Sequence, residues 1–163
     1  LILMMNNVFQ NKFSPESKLW VFQSDRELNG EALLKELSSF FANWQTHGRK
    51  VESACSVIEG RFLLVVVNEG SYAVSGCAID ELTKTIRKVG EGSNLNLLDR
   101  GGFYCVGPQG LSYVKFADFK ELYQQGVLKN DTEFYDASIS VNLELSTKWV
   151  SKIKDSWMKN RFL

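Results

Sequence analysis

The feature that most constrains the fold is an unbroken and largely β-branched apolar run, Phe62 to Val67. Successive side chains of a strand point to opposite faces of a sheet, so such a run has to be covered on both sides. The run Leu19 to Phe22 has the same character, whereas Val51 to Ile58 alternates in polarity, as a strand with one wetter face does. We therefore predict two adjacent central strands, with Trp20 among their buried residues, and one edge strand.

Two amphipathic helices are predicted between and after these strands. Asn29 can cap the first, whose apolar residues recur at steps of three and four as far as Trp44, before Gly48 ends it. Ser75 is the predicted N-cap of the second helix, which Gly90 and Gly92 terminate. The apolar face of the second helix consists of Ile79, Leu82, Ile86 and Val89.

The order of these elements predicts the fold. With Gly102 to Val106 as a last strand, the chain reads strand, helix, strand, strand, helix, strand, which is the split βαβ, or ferredoxin-like, pattern. We therefore predict an α+β fold with a ferredoxin-like βαββαβ core and an antiparallel sheet. The core spans residues 18–106 and follows an N-terminal segment, 1–17.

Residues 107–163 are predicted to form a C-terminal β/α extension packed on this core. A plain ferredoxin-like sheet has helices on one face only, so its other apolar face needs a cover, which either the extension or a homodimer supplies. Within the extension we predict a strand at Leu111 to Val114, a helix from Phe116 to Gly126, and a strand with alternating apolar residues from Ile139 to Leu145.

Composition narrows the classes of partner and cofactor. The 19 basic and 19 acidic side chains cancel, so the chain lacks the positive field that nucleic acids and anionic membranes attract. The apolar start, Leu1 to Met5, is much shorter than a membrane span of about 20 residues. Three cysteines without a Cys-x-x-Cys pair, and the single histidine His47, indicate reduced thiols and no metal site. We expect a cytoplasmic protein without a cofactor, whose partner is a protein or peptide.

Cys77 is the candidate catalytic residue with the clearest physical basis. It lies in the first turn of the second predicted helix, where backbone N–H groups and the helix dipole favour a thiolate. An exposed thiol there can act as a nucleophile or a redox sensor. The alternative is that Cys77 packs as a small apolar side chain, as we expect of Cys55 and Cys105 on their strands.

His47 is the second candidate. At the predicted end of the first helix it can bond the last carbonyl groups, or it can pair with Cys77 as a general base, as in thiol hydrolases. The first role is favoured, because parallel helices on one face would place the end of one and the start of the other at opposite ends of the sheet.

Other polar segments suggest weaker sites. Asp25-Arg26 and Asp99-Arg100 are expected to form a polar cluster at one end of the sheet, with surface ion pairs as the alternative. Glu69 precedes a loop, Gly70 to Gly76, whose backbone is a candidate anion site ahead of the helix. The loop has no Gly-x-x-x-x-Gly-Lys-Ser/Thr motif, so it is not a nucleotide P-loop.

Two resemblances add to these patterns. Trp20 to Gln23, Trp44 to Gly48, Ser75 to Asp80, Asp99-Arg100 and Asp155 to Trp157 together resemble a family of short bacteroidete proteins often labelled "ABC transporter ATPase". This resemblance implies a bacterial, cytoplasmic protein, while the missing Walker A motif and ABC signature argue against an ATPase. Phe103 to Asp136, with Tyr104 to Gly110, is similar to bacterial GYF-type modules, which implies binding of proline-rich peptides by exposed aromatic residues.

From the sequence we favour a non-enzymatic binding or regulatory protein. A cysteine-dependent enzyme or redox sensor centred on Cys77 is the first alternative, and a peptide-binding module formed by residues 103–136 is the second.

Overall fold

The structure is a computed structural model, and it describes Phe9, residues 11–70 and residues 72–163. The apolar start, Leu1 to Met5, lies outside the described residues. The chain divides into two compact units. The first contains residues up to Asp99 together with Ile139–Ser146, and the second contains Arg100–Ser138 and Thr147–Leu163. This division differs from the predicted boundary after residue 106, because the chain leaves the first unit after Asp99 and later returns to it.

The described chain contains both helices and strands, and its sheets are antiparallel, as expected of an α+β fold. The strands are β1 (Lys18–Gln23), β2 (Gln45–Thr46), β3 (Arg49–Lys50), β4 (Glu52–Ile58), β5 (Phe62–Asn68), β6 (Gly102–Gly107), β7 (Gly110–Lys115), β8 (Glu133–Tyr135) and β9 (Val150–Lys152). The α-helices are α1 (Gly30–Asn43), α2 (Gly76–Gly92), α3 (Phe119–Gln124), α4 (Glu144–Thr147) and α5 (Trp157–Phe162).

The main sheet of the first unit has three strands in the order β1-β5-β4. As predicted, β5 is central and β4 is an edge. The four-stranded ferredoxin-like sheet is not what these strands form, because its expected fourth strand, β6, pairs with β7 and β8 in a separate sheet. Consequently β1 is also an edge strand, and among the described residues its outer side receives a single bridge, between Lys18 and Val141.

Both predicted N-caps are confirmed. Asn29 accepts a hydrogen bond from the backbone N–H of Ala32, and Ser75 accepts one from that of Ala78. The first helix ends at Asn43 rather than at Gly48, because Trp44 is extended and β2 and β3 follow as a short hairpin. His47 and Gly48 form its two-residue turn with positive φ angles of 49° and 73°, the backbone that such tight hairpin turns require.

The sheet of the first unit is covered on both faces, as the apolar run of β5 requires. On one face, Leu63, Val65 and Val67 belong to a core that also contains Leu37 of α1 and Leu82 of α2. On the other face, Leu19, Val21, Leu64 and Val66 are all at most 3% exposed. This cover is complete within a single chain, so it does not need a second copy. Trp20, predicted to be buried, is only half-buried.

The second unit has a four-stranded sheet in the order β7-β6-β8-β9. Its core is largely aromatic and includes Phe103, Phe119 and Phe134. The tail closes this core, since Met158 of α5 is fully buried and the ring of Phe162 stacks on that of Phe119 at 4.7 Å between centroids.

The strand predicted from Ile139 to Leu145 does not form. The carboxylate of Glu144 accepts hydrogen bonds from the backbone N–H groups of Ser140 and Val141, which removes them from strand pairing. Val141 keeps the one bridge to β1, and α4 begins at Glu144. Ile139–Ser146 is the segment that returns to the first unit.

Candidate functional site

Cys77 occupies the place predicted for it, in the first turn of α2 behind the Ser75 cap, and its side chain is exposed. The packed alternative therefore does not describe this residue. Cys55 is half-buried and Cys105 is buried. Burial raises the pKa of the Cys55 thiol, and it raises that of the Cys105 thiol to about 11. Of the three thiols, Cys77 is the most exposed to solvent.

His47 lies on the hairpin turn and is exposed, so it does not bond the last carbonyl groups of a helix. The expectation that it lies far from the start of α2 is wrong. The hydroxyl of Thr46 accepts a hydrogen bond of 3.0 Å from the backbone N–H of Ser75, the cap of α2. The chain reverses at Trp44 instead of continuing as a helix, and this brings the hairpin to the end of α2 that carries Cys77. No hydrogen bond joins His47 to Cys77 in the described part of the chain.

The loop before α2 offers fewer donors to an anion than its sequence suggests. The N–H of Gly70 donates to the side chain of Asn68 at 3.2 Å, and the N–H of Tyr72 donates to the carbonyl of Glu69 at 2.8 Å. The N–H of Ser75 is taken by Thr46. The loop is also held from outside, since the guanidinium of Arg49 lies 3.8 Å from the centre of the Tyr72 ring. These groups stabilise the loop itself.

Sequence reasoning missed a polar cleft in the first unit, which has a volume of about 640 Å³. Side chains from three stretches line it, within residues 14–18, 68–70 and 140–141. The stretches come from the segment before β1, the end of β5 and the returning segment. Of the lining residues, only Glu69 stood out in the sequence as part of a candidate site. The others are far apart in the chain, and they become neighbours when the returning segment, Ile139–Ser146, meets β1.

Acidic residues outnumber basic residues in the lining of this cleft. Glu16 and Glu69 contribute two carboxylates, and Lys18 contributes one ammonium. The Nζ of Lys18 lies 3.6 Å from Oε1 of Glu69, an oxygen that is closed to solvent and accepts no hydrogen bond in the described structure. The side chain of Glu69 is still 33% exposed, and that exposed part lines the cleft. The cleft therefore favours a cationic group.

Neutral polar groups complete the lining. Ser14, Ser17 and Ser140 contribute from two of the stretches, and Asn68 contributes from the third. The hydroxyls of Ser14 and Ser17 lie 3.1 Å apart. A hydroxyl both donates and accepts hydrogen bonds, so this lining suits a small ligand that is itself polar.

Of the polar cluster predicted at one end of the sheet, Asp25 and Asp99 make structural contacts, while Arg26 pairs with Asp25 in a surface ion pair, the alternative considered. The side-chain amide of Gln23 donates to Asp99 at 3.1 Å, and the N–H of Asn96 donates to Asp25 at 3.1 Å. Partial burial of Asp25 raises the pKa of its carboxyl, but the hydrogen bonds from Arg26 and Asn96 outweigh this effect and leave the pKa below its ordinary value. These bonds attach the segment after α2 to the end of β1.

Exposed aromatic residues, which the GYF-type resemblance implies, are not found among residues 103–136. Tyr104, Phe119 and Phe134 are buried, and Tyr113, Phe116 and Tyr123 are half-buried. Within the described residues no three His, Cys, Asp or Glu side chains are grouped so as to hold a metal ion. None of the helices described has the length and apolar character needed to cross a membrane.

Comparison of the chain with protein families, curated proteins and solved structures finds no match in any of the three. The family and module resemblances of the sequence therefore stay predictions, and the function has to be argued from the two sites of the first unit.

Proposed function

We propose that the protein is a non-enzymatic binding protein whose ligand occupies the polar cleft of the first unit. The observation that carries this proposal is the composition of the cleft, whose lining includes two acidic residues and one lysine among several neutral polar residues. Its volume lies within the range of about 300–1,000 Å³ typical of small-molecule sites. The even charge balance of the whole chain and its unpaired cysteines support a cytoplasmic role.

The lining selects a class of ligand. A small ammonium compound would approach Glu69 and Glu16, while its hydroxyl or amide groups would bond to the serines. A purely anionic ligand would find only Lys18, whose ammonium group already lies beside Glu69. We therefore assign the cleft to a small polar molecule that carries an amine.

Calorimetric titration tests this assignment with ethanolamine and putrescine as amines, and with ethylene glycol and succinate as neutral and anionic comparisons. We expect the amines alone to bind. Glu69→Gln should weaken their binding by about tenfold or more, because hydrogen bonds to charged groups contribute about 1.5–3 kcal/mol. Glu36→Gln, on the exposed surface of α1, is the matched control and should bind as the wild type does. Amine binding that is unchanged in Glu69→Gln, or no binding of either amine, would contradict the proposal.

A second candidate function is a thiol enzyme or redox sensor centred on Cys77. The observation that favours it is the bond between Thr46 and Ser75, which brings the hairpin of His47 to the first turn of α2. If His47 serves as the base, Cys77 should alkylate rapidly at neutral pH and His47→Gln should slow it at least tenfold. Equal rates of Cys77 alkylation in the wild type and in His47→Gln would show that His47 does not act as a base for Cys77.

We also propose that the chain is a bacterial member of the short family that its sequence resembles. The segments from Trp20 to Trp157 that carry the resemblance support this, and mapping homologous sequences onto the cleft and onto Cys77 would test it.

A further inference from the structure

The strand β4 has an outer edge that can pair with another strand. It forms one edge of the main sheet of the first unit and pairs with β5 on its other side along all seven residues. No described strand pairs with its outer side. Natural edge strands usually carry charges, prolines or bulges that prevent pairing with another chain. Ser53 to Val57, the central five residues of β4, have none of these and are all half-exposed.

We infer that β4 pairs antiparallel with β4 of a second copy of this chain, which joins two three-stranded sheets into one of six strands. This inference does not rest on the ligand proposed for the cleft, because no residue of Ser53 to Val57 lines the cleft.

A two-fold axis normal to the sheet fixes the register. Such an axis keeps the helices of both copies on the same face, and residues directly opposite each other share a face. Full overlap of Glu52–Ile58 then puts Cys55, its middle residue, opposite Cys55 of the second copy. Ser53 lies opposite Val57, and Ala54 lies opposite Ser56. The central pairs are uncharged, and the end pairs put Glu52 of each copy opposite Ile58 of the other.

The charges at the ends of β4 also favour an antiparallel second copy. Lys50, just before the strand, is exposed, and Glu59, just after it, is in the turn to β5. Antiparallel pairing puts Lys50 of each copy opposite Gly60 of the other and one residue from Glu59, whereas parallel pairing would put the two Lys50 residues opposite each other. Opposite charges across a strand pair are stabilising and like charges are destabilising.

Side chains beside the strand extend this surface. Phe41 of α1 is half-buried and borders a shallow cleft of about 430 Å³ with residues 50–53. The helix approaches β4 closely at Gly30, where an added Cβ would lie 3.0 Å from Val57. Phe41 thus adds apolar area next to the backbone edge, and the two contributions together form a self-complementary surface.

Light scattering coupled to size-exclusion chromatography measures the mass of the full chain across a wide range of concentrations. We expect twice the monomer mass for the wild type. Ser56→Lys, which places a charge on the edge, should return the protein to the monomer mass. Ser112→Lys is the matched control, since Ser112 is an exposed residue on an edge strand of the second unit, and it should stay dimeric. Circular dichroism checks that both variants are folded.

A crosslinking experiment tests the register without altering the edge. In Cys77→Ser, mild oxidation should produce a disulfide between the two Cys55 residues, because directly opposite residues have Cβ atoms about 4.5–5.5 Å apart, close to the spacing of a disulfide. A monomeric wild type, a dimer that persists in Ser56→Lys, or oxidation that gives no Cys55 disulfide would each overturn the inference. A monomer that instead takes up a peptide of another protein would also overturn it.

Discussion

The indole Nε1–H of Trp44 donates a buried hydrogen bond to the carbonyl oxygen of Ala78 at 3.0 Å. Trp44 is the residue at which the chain leaves α1, and Ala78 is in the first turn of α2. Together with the bond between Thr46 and Ser75, this contact fixes the hairpin against the start of α2. The position of His47 relative to the first turn of α2 therefore depends on Trp44.

Replacement of Trp44 by phenylalanine should lower the free energy of unfolding by about 1–3 kcal/mol, because it removes a hydrogen bond of roughly 1 kcal/mol and leaves space around a smaller ring. Urea denaturation measures the change. Trp20→Phe, at a half-buried tryptophan of β1, is the comparison and should have a smaller effect. An effect of Trp44→Phe no larger than that of Trp20→Phe would contradict this prediction.

Leu37→Ala should lower the free energy of unfolding by about 2–5 kcal/mol, since Leu37 is fully buried between α1 and the sheet. Leu34→Ala makes the same chemical change on the same helix at a half-buried position. Its smaller loss in the same denaturation experiment would show that burial, rather than helix propensity, determines the effect. A larger loss for Leu34→Ala would contradict the packing described for α1.

Brief iodoacetamide treatment of the native protein should label Cys77 first, Cys55 more slowly and Cys105 last. Cys77 is exposed, and burial both shields Cys105 and raises the pKa of its thiol to about 11, so little thiolate is present near neutral pH. Mass-spectrometric peptide mapping gives the order. Labelling of Cys105 before Cys77 would show that β6 is open to solvent.

Cys105 should also make stability depend on alkaline pH. Its pKa is about 11 when folded and about 8.5 for a free cysteine. Between these values the unfolded chain has lost a proton that the folded chain retains, so stability falls as the pH rises through this window. Other groups titrate there, so the quantity to measure is the difference between wild type and Cys105→Ala, which should shift in favour of the variant. A constant difference would mean that Cys105 ionises alike in both states.

Gly102→Ala should destabilise the second unit by about 1–3 kcal/mol, the usual loss on overpacking. An added Cβ would lie 2.3 Å from the backbone oxygen of Val114 and 2.6 Å from the ring of Tyr113, and a backbone atom cannot move aside as a side chain can. Gly76→Ala is the control, because nothing lies within 4 Å of the corresponding Cβ. Thermal unfolding of the two variants should separate them clearly.

Much of the local structure could be predicted because its signals are local. The bounds of β1, the caps Asn29 and Ser75 and the central place of β5 all follow from neighbouring residues in the chain. The partner of β6 could not be predicted in this way. Pairing with β7 through a tight turn competes with pairing to β1 across the sheet, and only the tertiary structure decides between them.

The candidate site, like the fold, could be predicted from the sequence only in part. The first-turn position of Cys77 follows from the Ser75 cap, and the structure shows it. The nearness of the His47 hairpin was missed because the apolar spacing up to Trp44 extends the helical pattern past its true end at Asn43. The polar cleft was missed because Ser140 and Lys18 are far apart in the chain, and Glu144 rather than an alternating pattern sets the conformation of the returning segment.

The interrupted chain path of the first unit has a consequence for its synthesis. Asn142, on the returning segment, donates its side-chain amide to the carbonyls of Phe13 and Ser14, near the other end of the unit. A ribosome must therefore add the 39 residues of Arg100–Ser138 before those bonds can form, which takes roughly 2–8 s at the usual rate of elongation. During this interval the outer edge of β1 lacks its bridge to Val141, so the unpaired backbone groups of this edge are open to pairing with another chain until the first unit is completed.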